Sequence, residues 1–390
     1  MIRDPLEAAH AGTLDLPDAR RLALELFVVG YEGTTLPNEY AEMLSEGLTG
    51  VILFKRNLSH DSTGAIDLVA LTAHTASIHA AAARCAWQFA PAICSVDQEG
   101  GPVARLRRPF TELPPMRTIG DRGDLSLARA VGQQLGRECL AAGFNVDYAP
   151  ILDVDTNPHN PIIGARAFSR DARLTAEMAG ALLDGLQSEG VLGCGKHFPG
   201  HGDTDADSHL ELPVLHHDLE RLHSVELVPF RALASRLHMV MTAHVLFPAL
   251  DERWPATLSP RILEPLLRDA CGFDGVIVSD DLEMQGVAKV LEPGACVREG
   301  LRAGCNLFLV CRRADMLAVA VQAATEVLAG LPGDLLRERA LASVQRIRSL
   351  RTRLTRPQPT FEHLESVLKA PETRSLRLAL GTGTLETTTV

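Results

Sequence analysis

The amino-acid sequence predicts an α/β protein, a single (β/α)8 TIM-type barrel with no second α/β domain. Three observations lead there. Short apolar runs recur at 24–29, 50–54, 91–97, 145–150, 190–198, 238–245, 275–281 and 306–311. They are apolar nearly throughout, as expected of parallel strands covered on both faces. Stretches of helical spacing separate them, and strand–helix alternation of this kind builds a barrel. Finally, ionisable residues collect where several of the apolar runs end. An open doubly wound sheet shares the alternation, and periodicity alone separates the two poorly.

Each element has a local reason. Asp171 is placed to cap a helix that carries Leu174, Met178, Leu182 and Leu186 on one face, and Gly190 closes it. The run LVALTAHTASIHAAAARC is rich in alanine, the strongest helix former. Residues 1–20 read as a lead-in and 21–355 as the (β/α)8 barrel. Residues 356–390 read as a tail, partly helical and then poorly ordered through the Thr-rich GTGTLETTTV.

Composition narrows the class. Hydrophobic residues make up 46% and charged residues 22%, enough for a large core with a solvated surface. The formal net charge of -11 argues against sequence-independent binding of nucleic acid, which needs clustered cations. No run approaches the roughly 18–20 apolar residues of a membrane helix. The start, MIRDPLEAAHAG, lacks the apolar core of a secretory signal. The eight cysteines are scattered, with no C-x-x-C pair, and read as buried, reduced thiols. The expected location is the cytoplasm.

In a barrel, chemistry sits at the C-terminal ends of the strands. The third run ends in VDQEGG, with Asp97 and Glu99; the fourth leads into ILDVDTNPHNP; the fifth into KHFPGHGDTDADSH; the sixth ends at His244; the seventh ends in SDDLEM. One charge at a strand exit is ordinary solvation, but five such ends together point to a site. The densest segment is 196–209, with histidines 197, 201 and 209 and aspartates 203, 205 and 207. Three readings compete for it. D-T-D-A-D opens like a calcium loop, but position six is Ser208 and position twelve is Val214, so that pattern fails. Neither H-E-x-x-H nor a Cys/His arrangement is present for zinc. The second reading is a catalytic loop hinged at Gly200 and Gly202, in which Asp207 orients His209 for acid/base work. The third is a polar surface loop. In SDDL, alternation sends Asp280 and Asp281 to opposite sides, so one faces the barrel mouth, and spacing does not decide which.

These motifs resemble glycoside hydrolase family 3, specifically its single-domain bacterial β-N-acetylglucosaminidase (β-hexosaminidase) branch. The resemblance runs from about Leu24 to Cys311 through VGYEGTTLP, GVILFKRNL, SVDQEGGPVARLR, PILDVDTNPHNPIIGARAF, KHFPGHGDTDADSH, MTAHVLFPAL, ATLSP and GVIVSDDLEM. KHFPGHGDT followed by DSH is the most specific part. The resemblance implies Asp280 as nucleophile and His209, paired with Asp207, as general acid/base. It implies sugar binding by Asp97, Arg105, Arg166, Lys196 and His197. For Arg105 and Arg166 the alternative is a structural ion pair. Lys196 and His197 end a buried strand, where an unpaired charge is costly, so each needs a partner or ligand. Glu99 and Asp153 read as hydrogen-bonding groups at the barrel mouth, and His244 receives no catalytic role.

The implied reaction is retaining hydrolysis of terminal β-linked GlcNAc through a covalent glycosyl-enzyme, without metal or organic cofactor. The implied substrate is a small carbohydrate or a muropeptide from peptidoglycan recycling. Phosphorolysis on the same machinery, a β-glucosidase and a non-catalytic sugar-binding barrel are the alternatives. Oligomeric state and regulation are not legible.

Overall fold

The computed structural model describes residues 4–87, 90–208 and 211–382. Its centre is a closed barrel of eight parallel strands: β1 (Phe27–Val29), β2 (Gly50–Leu53), β3 (Ile93–Val96), β4 (Val146–Asp147), β5 (Leu192–Phe198), β6 (Met239–Thr242), β7 (Val276–Asp281) and β8 (Leu307–Val310). Neighbours in sequence are neighbours in space, and β8 pairs with β1 in the register Phe27 to Phe308. That pairing closes the ring and removes the open doubly wound sheet. All eight predicted strands are present, shorter than their apolar runs. Leu24, expected to open β1, instead ends the helix Leu16–Leu24.

Two asparagines at strand entrances extend the ladder with side-chain amides. Asn145 Oδ1 accepts from the Cys94 N–H at 2.9 Å, and its Nδ2 donates to the Ala92 carbonyl at 2.9 Å. Asn306 Oδ1 likewise accepts from the Ile277 N–H at 2.9 Å. Buried backbone groups at a barrel end otherwise lose their partners. The strands are filled by Val, Ile, Leu, Met and Phe with almost no exposed surface, so each is packed on both faces.

The helix predicted from Asp171 spans Ala172–Ser188, and Asp171 accepts from the Leu174 N–H at 2.8 Å. It crosses the helix Leu125–Ala141 by reciprocal glycine contacts. A Cβ on Gly132 would lie 2.0 Å from the Leu182 carbonyl oxygen, and one on Gly185 would lie 2.1 Å from that of Arg129. Backbone therefore packs on backbone. Both glycines are required by proximity, not by a special torsion.

The N-terminal helices are fastened to the barrel's outer layer. The buried Arg337 donates to the Ala9 and Gly12 carbonyls at 3.0 and 2.8 Å, and Arg348 pairs with Asp4 and Glu25. Beyond residue 356 lie two helices, Phe361–Leu368 and Pro371–Leu380, whose Leu364, Leu368, Leu376 and Leu380 join the main core. Most of the Thr-rich stretch, from 383 onward, lies outside the described residues, as do His209 and Leu210.

Gly185→Ala is expected to destabilise the protein by about 2–3 kcal/mol, because the added methyl forces the two helices apart. On an exposed helix the same change would stabilise by roughly 0.5–1 kcal/mol. Urea denaturation of the two proteins gives the sign.

Candidate active site

At the C-terminal end of the barrel, side chains at or just beside the ends of β3, β5 and β7 line one pocket. Just past β3, a small hairpin (Gln98–Gly100 with Val103–Ala104) folds back. Gln98 holds it: its Oε1 accepts from the Arg105 and Leu106 N–H groups at 2.8 and 2.9 Å, and its Nε2 donates to the Leu106 carbonyl. The hairpin brings Arg105 back over Asp97, with Nη2 to Oδ2 at 3.2 Å.

Lys196, near the end of β5, is the centre of the charge arrangement. Its Nζ lies 3.0 Å from Asp97 Oδ1 and 2.6 Å from Glu99 Oε1. Glu99 in turn takes Arg166 in a two-pronged contact at 2.9 and 2.8 Å. Arg105, Asp97, Lys196, Glu99 and Arg166 therefore form a ladder of alternating sign. Burial alone would raise the Glu99 carboxyl, but Arg166 and Lys196 outweigh it and hold it down to about 2. Burial would likewise lower Lys196, and the two carboxylates reverse that and raise it. The partner that Lys196 needed is thus supplied from within. Arg105 and Arg166 are ion-paired and also line the pocket.

His197 points its Nδ1 at Asp153 Oδ2, 2.7 Å away. Asp153, fully buried after β4, also accepts from the His201 N–H at 2.7 Å. Burial works against its charge, but His197 and His201 hold the carboxyl below the ordinary range.

The two carboxylates of β7 differ. Asp280 opens to the pocket; burial would raise its pKa, yet His197 and His244 outweigh this and keep it lowered. Asp281 is pushed up to about 7 by burial and by the negative charges of Glu283 and Asp280, partly offset by hydrogen bonds. Its Oδ1 accepts from the Glu283 and Cys311 N–H groups at 3.0 and 3.3 Å. Both reach the pocket wall, so alternation did not put one of them out of it. Their surroundings distinguish them: Asp280 is the better-stabilised anion. His244 bonds the Thr257 hydroxyl and the Asp281 carbonyl, bracing the end of β7 from β6.

Of the residues singled out in the sequence, Asp97, Arg105, Arg166, Lys196, His197 and Asp280 line this one pocket. Asp207 does not line it; its carbonyl accepts from the Glu211 N–H at 3.0 Å, on the segment bordering the pocket. His209 lies outside the described residues, but its neighbour Ser208 is buried in the pocket wall. Gly202 has a packing reason: a Cβ there would lie 1.9 Å from the Val154 carbonyl oxygen. Among the described residues no group of three or more His, Cys, Asp or Glu is arranged to hold a metal ion.

Several residues of the pocket wall, and one buried group beyond it, were not identified from the sequence. Phe54, after β2, lies beneath the guanidinium groups of Arg56 at 4.3 Å and Arg105 at 5.6 Å from its ring centre. His201 was visible as one of three histidines but without a role. Asp147, at the end of β4, is fully buried; its Oδ1 accepts from the Gln98 N–H, and Oδ2 has no hydrogen-bond partner among the described residues. Burial, opposed in part by the Gln98 bond and Lys196, pushes its carboxyl up to about 7.

Ionised carboxylates and fixed cations line one pocket at the strand ends of a closed (β/α)8 barrel, the place where enzymes of this fold carry their chemistry. The glycosyl hydrolase family 3 N terminal domain matches residues 20–350 of the chain. A β-hexosaminidase of Nitrosomonas eutropha is 41% identical over 291 residues, covering 73% of this chain and 79% of that protein. One from Pseudomonas aeruginosa is 36% identical, covering 79% and 88%. The solved structure of NagZ from Neisseria gonorrhoeae in complex with N-trifluoroacetyl-D-glucosamine superposes with a TM-score of 0.72 at 30% identity, covering 92% of this chain and 98% of that one. The chain belongs to glycosyl hydrolase family 3, and it is a glycoside hydrolase.

Asp147 generates a pH prediction. Its folded carboxyl titrates near 7, above the ordinary value near 3.8. The folded state therefore binds this proton more tightly, and the stability it brings is present below about pH 4 and lost as pH rises toward 7. Asp147→Asn keeps the acceptor for Gln98 and removes the ionisation. It is expected to exceed wild type in stability by on the order of 2 kcal/mol at pH 8, with the gain shrinking toward pH 4. Denaturation midpoints across that range check it.

Proposed function

We propose that the chain is a retaining exo-β-N-acetylhexosaminidase that removes terminal β-linked GlcNAc. The observation that carries this reading is the convergence of the lowered Asp280 carboxylate and the Asp97–Lys196–Glu99–Arg166 ladder on one pocket. The names of the similar proteins support the sugar: β-hexosaminidases, and a structure holding an N-acyl glucosamine derivative.

Asp280 attacks the anomeric carbon as the glycosidic bond breaks, and a covalent glycosyl-enzyme forms through an oxocarbenium-like transition state. His209, oriented by Asp207, protonates the departing oxygen and then takes a proton from the incoming water. What supports this is that Ser208, the residue before His209 in the chain, lines the pocket. Asp97, Lys196 and His197 engage sugar hydroxyls, and Arg105 and Arg166 complete the sugar-binding wall. Held in place by mutual charge, they turn binding into orientation. The substrate class we favour is a GlcNAc-terminated muropeptide fragment of peptidoglycan, handled in the cytoplasm. No helix among the described residues is long and apolar enough to cross a membrane.

Asp280→Ala is expected to lower kcat/KM on a nitrophenyl β-N-acetylglucosaminide by about 10³–10⁵-fold. A 2-fluoro or 5-fluoro donor should label the peptide containing Asp280 in the wild type. Labelling elsewhere would remove the nucleophile assignment. Free GlcNAc of retained anomeric configuration is the expected product, and GlcNAc-1-phosphate in phosphate buffer would instead mark a phosphorylase.

His209→Ala is expected to cost at least roughly tenfold more kcat/KM on a poor alkyl leaving group than on a dinitrophenyl one, which departs without a proton. Equal losses on the two donors would sink the acid/base role.

A further inference from the structure

His201 makes more directional contacts than sugar binding or packing alone requires. It is buried in the pocket wall, between the strand that carries His197 and the segment that carries Asp207. Its N–H donates to Asp153 Oδ1 at 2.7 Å, and its carbonyl accepts from Asn160 Nδ2 at 2.9 Å and from the Thr204 hydroxyl at 3.1 Å. Its ring is held at both ends: Nδ1 lies 2.8 Å from Thr204 Oγ1 and Nε2 lies 3.0 Å from Ser208 Oγ. With the Thr204 proton given to the His201 carbonyl, Nδ1 carries the ring hydrogen and Nε2 accepts from Ser208.

We infer that His201 is a positioning residue for the acid/base loop, its imidazole tying Ser208, the residue before His209 in the chain, to the buried Asp153. This rests on the reading of His209 as general acid/base. Both ring nitrogens are committed to hydroxyls, so the ring is not offered to a substrate as a donor or acceptor. The ring is neutral in this setting: burial first, then the neighbouring His197, lower it to about 4. A neutral ring is what the geometry needs, because an imidazolium has no lone pair for Ser208. The same Asp153 carboxylate holds His197 through its other oxygen at 2.7 Å. One buried anion thereby sets the sugar-binding histidine and the root of the loop in a common frame. Rigid second contacts of this kind are worth having because displacements near 1 Å cost rate steeply.

The test compares Ser208→Ala, His201→Asn and the double variant with His209→Ala, using dinitrophenyl and alkyl β-N-acetylglucosaminides. Ser208→Ala removes only the far hydroxyl and keeps the measurement available if His201→Asn folds poorly. The expected result is a loss of kcat/KM at least roughly tenfold greater on the alkyl donor, as befits lost acid catalysis. The double variant should be no worse than the poorer single one, since both cut the same tie. Azide, a nucleophile that needs no base, should restore part of the lost kcat on the dinitrophenyl donor. Equal losses on both donors, no response to azide, or a change confined to KM would overturn the inference. If His209→Ala discriminates between the donors while His201→Asn and Ser208→Ala do not, only this inference fails. Should His209→Ala itself show no discrimination, the acid/base reading falls and the inference with it.

Discussion

The buried ammonium of Lys196, held between Asp97 and Glu99, is the interaction on which the rest of the site depends. An ion removed from water is tolerated only when its charge is met at close range and its protons are all used. Here the two carboxylates come from the β3 exit, the ammonium from β5, and Arg166 and Arg105 from loops that reach back to them. None of these groups could be buried alone. Taking away one member leaves its neighbour buried without a partner, so the ladder also constrains where the hairpin after β3 and the loop after β4 can lie. Pocket-lining groups and structural ion pairs are the same residues.

A second consequence concerns the acids. Asp280, Asp281 and Asp147 have the same chemistry and lie within one barrel mouth, yet their environments separate them. Asp280 faces His197 and His244 and keeps its charge, while Asp281 sits beside other anions and Asp147 lacks a second partner. The groups that face each carboxyl, rather than depth of burial, sort one from the others.

The loops are held by close contact more than by length. Gly202 lies against the Val154 backbone with no room for a side chain, and Asp153 gathers the His197 and His201 N–H groups. The segment that carries Asp207 therefore begins from a rigid base.

Much of this was legible in the sequence, for physical reasons. Parallel strands buried on both faces must be apolar throughout, so eight such runs announce eight strands, and Asp171 and Gly190 mark a helix because capping is local. The strand ends stood out because solvation alone seldom accounts for charged groups that recur there, and Asp97, Arg105, Arg166, Lys196, His197 and Asp280 were singled out through the family motifs that hold them. What stayed hidden depends on distance across the chain. Closure of the barrel is a contact between residues 27 and 308, and no local period encodes it. The helical contact through Gly132 and Gly185, the stack of Phe54 under two arginines, and the orphaned oxygen of Asp147 arise only when separate elements meet. So does the role of His201, whose partners at 153, 160, 204 and 208 converge through folding. The sequence by itself determined which elements form and which residues can bear charge at their ends. Tertiary structure decided which of those charges face one another, because electrostatic and steric terms act through space and fall off within a few ångströms.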